Sequence, residues 1–320
     1  MIGLLAALAV ATLTTSGTET DTTFAVKAGT RLELNQFAGS IAVKTWAKSA
    51  VRVVATHSSR VGIEISGGSP VVSIQAVHYR GLPTNVDFQL TVPKAMALNL
   101  SGVNTEISVD DSGGELSIET VQGEVTVTGG SKIIQASSVD GEVHLSDATG
   151  RIECSSVNGG VQIERSSGPV VATSVNGEIT LEAIDSDDVE GNTVNGTVNY
   201  QGTLRNAGSY RFSSHNGEVT VIVPERTNAT VSVATFSGDF NSDFPVPLTD
   251  ARHGKRFSFT LGDGSARVEL ESFQGSINLR RPGNSGGKTT VDKSKSKEKT
   301  KETSKSKTKS KNSGEEESEP

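Results

Sequence analysis

Acidic side chains recur directly after a glycine in this chain, at Glu124, Glu142, Glu178, Glu218 and Asp239. Paired carboxylates can cleave sugars when one of them, held in a cleft, keeps its proton while its partner stays ionised. A carboxylate repeated as a column on a regular rod supplies many similar, solvated groups instead of one such pair. The column therefore reads as a charged, solubilising rim. A second acidic group, Asp185, Asp187, Asp188 and Glu190, offers hard oxygen ligands and is a calcium candidate. It lacks both the EF-hand spacing and a glycine-rich calcium repeat, so a solvated loop is the simpler reading. The histidines (His57, His78, His144, His215, His253) show no His-x-His or HExxH spacing for zinc. Cys154 stands where neighbouring repeats carry Ile118, Ala136 and Ala172, which marks a small buried hydrophobe more than a reactive thiol. These residues predict no catalytic group and no cofactor, and the chain is expected not to be an enzyme.

The elements that carry these residues follow from a self-similar unit. It appears as TVQGEVTV (Thr120–Val127), SVDGEVHL (Ser138–Leu145), SVNGGVQI (Ser156–Ile163), SVNGEITL (Ser174–Leu181), TVNGTVNY (Thr193–Tyr200) and SHNGEVTV (Ser214–Val221). Its turn glycines, Gly123, Gly141, Gly159, Gly177, Gly196 and Gly217, are spaced by 18, 18, 18, 19 and 21 residues. A fixed short period is the mark of a repeat architecture. Two and four residues after each glycine stand apolar pairs such as Val143/Leu145 and Ile179/Leu181, with polar residues between them. That is the period of a half-buried strand. Pairs such as Ile134/Ala136 and Ile152/Cys154, seven and five residues before the glycine, define a second strand. Each unit is thus two short strands joined by an Asn-Gly or Asp-Gly corner, residues that tolerate positive φ.

Two all-β topologies fit. Asn-Gly between alternating strands also signals hairpins, which would give an antiparallel meander or sandwich. A β-solenoid explains more, because stacked coils place like residues in columns. One column is Ser or Thr (Thr120, Ser138, Ser156, Ser174, Thr193, Ser214), and another is Asp140, Asn158, Asn176, Asn195 and Asn216. The expected fold is a β-solenoid with regular repeats over about 103–222, set within a β domain spanning 24–281. No stretch shows a helical period. Some ten coils at about 4.8 Å each would extend roughly 50 Å.

The ends differ from this body. Residues 1–17 begin with an apolar run (Ile2, Leu4, Leu5, Ala6, Ala7, Leu8) followed by Thr14, Thr15, Ser16 and Gly17. The run is too short to span a bilayer and suits a secretory signal peptide, so no transmembrane helix is expected in the mature chain. Residues 283–320 are Lys/Ser-rich and then acidic, with no apolar period to offset ordering entropy, and are expected to be disordered. The chain's net charge of −7 divides into −10 for residues 1–282 and +3 for the tail. Acidic overall, with 4% aromatic residues, it is no candidate for specific nucleic-acid binding. A single cysteine excludes a disulfide framework. The basic stretch 288–311 could hold an anionic cell-surface polymer.

Gly29–Trp46 (GTRLELNQFAGSIAVKTW), Phe88–Leu100 (FQLTVPKAMALNL), the S-V-N-G-x-V-x-L units and Ser272–Arg281 (SFQGSINLRR) occur here in order. In these the chain resembles the bacterial adhesin-like family with β-strand repeats, whose domain has no assigned function. The resemblance covers about Phe24–Arg281. It implies an exported, solenoid-like, non-catalytic protein of the periplasm, envelope or cell exterior. The expected role is structural, adhesive or that of a protein-interaction scaffold. The alternative is a regulatory or sensor module binding another envelope protein, and a polysaccharide-acting β-helix enzyme ranks below both. The family has no catalytic residues to transfer, and the lysine-rich tail lies outside its pattern.

Overall fold

The computed structural model describes residues 19–79, 84–246 and 256–283. The segment expected to be a signal peptide, the tail from residue 284, and His253 fall outside them. Every regular element among the described residues is a β-strand.

Through the regular repeats, each unit contributes one strand to each of two faces. Leu116–Gln122, Ser131–Asp140, Thr149–Ser156, Val170–Ser174, Asp188–Thr193 and Ser209–Ser214 pair in parallel, each with the equivalent strand of the next unit. On the other face Val125–Thr128, Val143–Ser146, Val161–Glu164, Ile179–Ile184, Val198–Gly202 and Val219–Ile222 do the same. The register is fixed by the period: Ile134 lies opposite Ile152, and Val143 opposite Val161. Consecutive strands of one chain segment never pair as hairpins here, which excludes the meander. The fold is a β-solenoid.

Both faces turn their alternate apolar residues into one core. Ile134, Ile152 and Val170 from one face meet Val143, Val161 and Ile179 from the other, all essentially without solvent access. The core changes character where the repeat lengthens. Tyr200 and Phe212 pack with ring centroids 4.8 Å apart, and Gly191 leaves room for them. A Cβ there would lie 3.2 Å from Phe212 Cδ1 and 3.3 Å from Val198 Cγ1. Tyr210 Oη donates to the Ser186 carbonyl at 2.6 Å and accepts from the Arg205 amide at 2.8 Å, so the added residues are bonded to the core aromatics.

At both ends the order in space departs from the order in sequence. Arg31–Trp46 stacks in parallel on Ala97–Asp110, and both strands run through the corner to serve both faces. Beyond Arg31–Trp46 lie Val71–His78 on one face and Val86–Pro93 on the other, although both come later in the chain. Ala50–Thr56 and Glu19–Ala25 then close one face, and Val61–Gly67 the other, as antiparallel strands. At the opposite end Ala266–Ser272 inserts between Ser209–Ser214 and Ala229–Thr235, with antiparallel Arg256–Leu261 outermost. Glu19–Ala25, Val61–Gly67 and Arg256–Leu261 each pair on one side, so antiparallel strands form three of the sheet's outer edges, and the parallel strand Phe240–Ser242 forms the fourth.

Candidate interaction surface

The corner between the two faces is built from three adjacent columns. The first is the buried hydroxyl. Ser138, Ser156, Ser174, Thr193 and Ser214 each donate to the carbonyl of the preceding level's glycine (Gly123, Gly141, Gly159, Gly177 and Gly196) at 2.8–3.0 Å. Ser156 and Ser174 also accept from the amides of Gly159 and Gly177 in their own corner, at 3.0 and 2.9 Å. One hydroxyl thereby satisfies a donor in its own coil and an acceptor in the coil below. This explains why the position is always Ser or Thr in the repeats.

The glycines at this corner serve close approach. A Cβ at Gly141, Gly159, Gly177, Gly196 or Gly217 would lie 1.8–2.0 Å from the carbonyl oxygen of the glycine one level below. Of the six turn glycines only Gly123 has positive φ, at 145°. The expectation that left-handed backbone selects Asn-Gly here is therefore corrected. The coils stack so tightly at the corner that no side chain fits between them.

The second column is a ladder of side-chain amides. Asn158 Nδ2 donates to Asp140 Oδ1, Asn176 to Asn158 at 2.8 Å, Asn195 to Asn176 at 2.9 Å, and Asn216 to Asn195 at 2.6 Å.

Between the hydroxyl and the amide lies the third column, apolar except for His215 and open to solvent: Phe37, Val103, Val121, Val139, Val157, Val175, Val194, His215, Phe273 and Phe236. Its valines are 38–44% exposed and its phenylalanines 40–56%. Backbone bonds across the corner hold it in line, such as Asn176 N to Val157 O at 2.8 Å and Gln274 N to His215 O at 2.8 Å. Its far end is a ring stack, with His215 on Phe273 at 4.7 Å and Phe273 on Phe236 at 4.6 Å, the ring planes within 4°. Sequence reasoning did not single out this column as a surface. Its signal was present, because an apolar residue recurred at a corner position where neither strand's alternation turns inward.

The residues with catalytic or metal-binding potential do not converge. Glu124, Glu142, Glu178 and Glu218 lie on four of the six regular levels, with Gly160 and Thr197 in their place on the other two, beside Thr126, His144, Thr180 and Thr220, each of which contacts its own coil's carboxylate at 2.9–3.4 Å. Asp185 is paired with Arg205 at 2.6 Å, and Glu190 accepts from Asn192 at 2.6 Å with Arg211 at 3.7 Å. The structure thus separates the calcium candidates Asp185 and Glu190 into different ion pairs. Among the described residues no group of three or more His, Cys, Asp or Glu is placed to hold a metal. His57 is bonded to Thr20 at 2.8 Å, and His78 accepts from the Thr84 amide at 3.2 Å. Hydrogen bonds from Gln135 and Arg151 hold the Glu153 carboxyl below its usual range, and the Arg165 guanidinium does the same for Asp147.

Cys154 lies between Ala136 and Ala172 in the core, 2% exposed, where burial pushes its thiol up to about 12. The thiolate is the reactive form. Iodoacetamide at pH 8 should therefore leave the folded chain unmodified and alkylate it stoichiometrically in denaturant. Mass spectrometry showing rapid labelling of the native protein would contradict this placement.

Two strand faces around one core, closed at a bonded corner, define a β-solenoid whose most regular feature is its surface. The Toastrack DUF4097 family model matches residues 9–280, and the chain belongs to this family, a domain of unknown function. No curated protein matches the chain. Among solved structures, a candidate cell adhesion protein from Clostridium sporogenes ATCC 15579 is similar at 11% identity and a TM-score of 0.21. That match covers 82% of this chain and 99% of the other. A candidate adhesin from Bacteroides fragilis NCTC 9343 is similar at 10% identity and a TM-score of 0.37, covering 83% and 98%.

Proposed function

We propose that this protein is an exported, non-enzymatic scaffold of the cell envelope that acts by adhesion or protein interaction. The observation that carries this reading is repetition. Through the regular repeats the levels present a hydroxyl, an amide and an apolar group at the same place, Asp140 and His215 excepted, which multiplies a modest contact along a line. A catalytic site needs the opposite, a few unlike groups brought to one point. The apolar run at residues 2–10 supports export, and the names of the two solved structures fit an adhesive role. The ten lysines of the tail supply an electrostatic hold on an anionic polymer.

Fractionation of cells carrying the tagged full chain tests this. The protein is expected in the envelope or medium, and deletion of 288–311 is expected to release it from envelope fractions at low salt. Retention in the cytoplasm would contradict export, and an unchanged distribution after the deletion would contradict the tether. Crosslinking in the same fractions identifies the bound partner.

A further inference from the structure

We propose that the apolar corner column is the contact through which two copies of this chain associate side by side. All the exposed large hydrophobic residues described, apart from Tyr79 and Ile133, fall in this one column between Phe37 and Phe236. Scattered surface hydrophobes are ordinary, but a contiguous line of them marks an interaction surface.

Three features choose a second copy as the occupant. The first is period. Apolar groups recur along the column at the strand spacing of about 4.8 Å, and a second copy carries the same groups at the same step. Its valines stay in register along the whole line, whereas a partner of another period would fall out of step after a few levels. The second is charge. Residues 1–282 carry 20 basic and 30 acidic side chains, so two copies repel wherever their carboxylates face each other. The column holds no carboxylate, lysine or arginine, its one ionisable side chain being His215, and in the adjoining amide ladder only Asp140 carries a charge. It is a line along which two acidic bodies can meet with little cost. The third is area. With six valines 38–44% exposed and three phenylalanines 40–56% exposed, the column offers at most roughly 650 Å² for burial, and the amide ladder beside it brings the strip toward the about 800 Å² per partner of an ordinary stable interface. A self-complementary strip of this kind closes as a two-fold dimer.

The proposal does not depend on where the protein acts or on the role of its tail. Sedimentation velocity of the purified full chain over a dilution series is expected to show a monomer–dimer equilibrium. The double variant Val157→Asp/Val175→Asp places charges at the middle of the line. It is expected to weaken the dimer at least about a hundredfold, since facing like charges cost several kcal/mol, with the far-UV circular dichroism unchanged. Glu142→Gln, on the neighbouring carboxylate column, is expected to leave the dimer intact. A full chain that is monomeric at every concentration, or a dimer indifferent to the two aspartates, overturns the proposal. Should the double variant fail to fold, Val157→Cys decides. Mild oxidation is expected to give a folded disulfide-linked dimer, because the native Cys154 is buried, and its failure to crosslink overturns the proposal equally.

Discussion

Gly177→Ala is expected to lower the unfolding free energy by about 3 kcal/mol, among the larger effects a single methyl group can have. The added Cβ would lie 1.9 Å from the Gly159 carbonyl oxygen and 2.4 Å from its carbon. Both are backbone atoms of the coil below, so no side-chain rotation relieves the clash and the coils must part at the corner. Parting them strains the bond from Ser174 Oγ to Gly159 O, now 3.0 Å, and that from Asn176 N to Val157 O, now 2.8 Å. Alanine's own backbone preference plays little part, since Gly177 is not among the residues with positive φ. Gly68 is the control. Nothing lies within 4 Å of a Cβ built there, and Gly68→Ala is expected to shift stability by no more than about 0.5 kcal/mol. Urea unfolding of the two variants checks the contrast. Similar midpoints for both would mean that the corner is not closely packed.

Much of this architecture was legible in the sequence, for a physical reason. Parallel coils of equal length put residues 18 positions apart on top of each other, as in the pairing of Cys154 with Ala136 and Ala172. A column in space is therefore a period in the chain. The Ser/Thr and Asn/Asp columns could be read directly, and so could the inward-facing valines and isoleucines. The ends could not. Arg31–Trp46 lies between Ala97–Asp110 and strands that come after it in sequence, and Ala266–Ser272 slips between two earlier strands. Such insertions rest on long-range pairing and leave no period behind. The corner glycine was recognised for the wrong reason, because a tight turn and a close backbone approach both select glycine. The apolar column at Val157 and Val175 was visible in the same alignment. It gains meaning only once the corner is seen to point to solvent.

The central claim is that the chain is a stack of interchangeable coils presenting a repeated surface, with no single irreplaceable site at its middle. A duplicate of residues 160–177 inserted after Gly177 tests it most directly. The inserted coil would find the same hydroxyl, glycine carbonyl and amide partners above and below that Ser174, Gly177 and Asn176 have now. It would also extend the core by one level of about 4.8 Å. Stability in such stacks comes from neighbour contacts, and an added like unit contributes its own. The account predicts a longer protein with the parent's β circular dichroism per residue and a single cooperative unfolding transition at least as stable. Loss of that transition, or an unfolded chain, would contradict it.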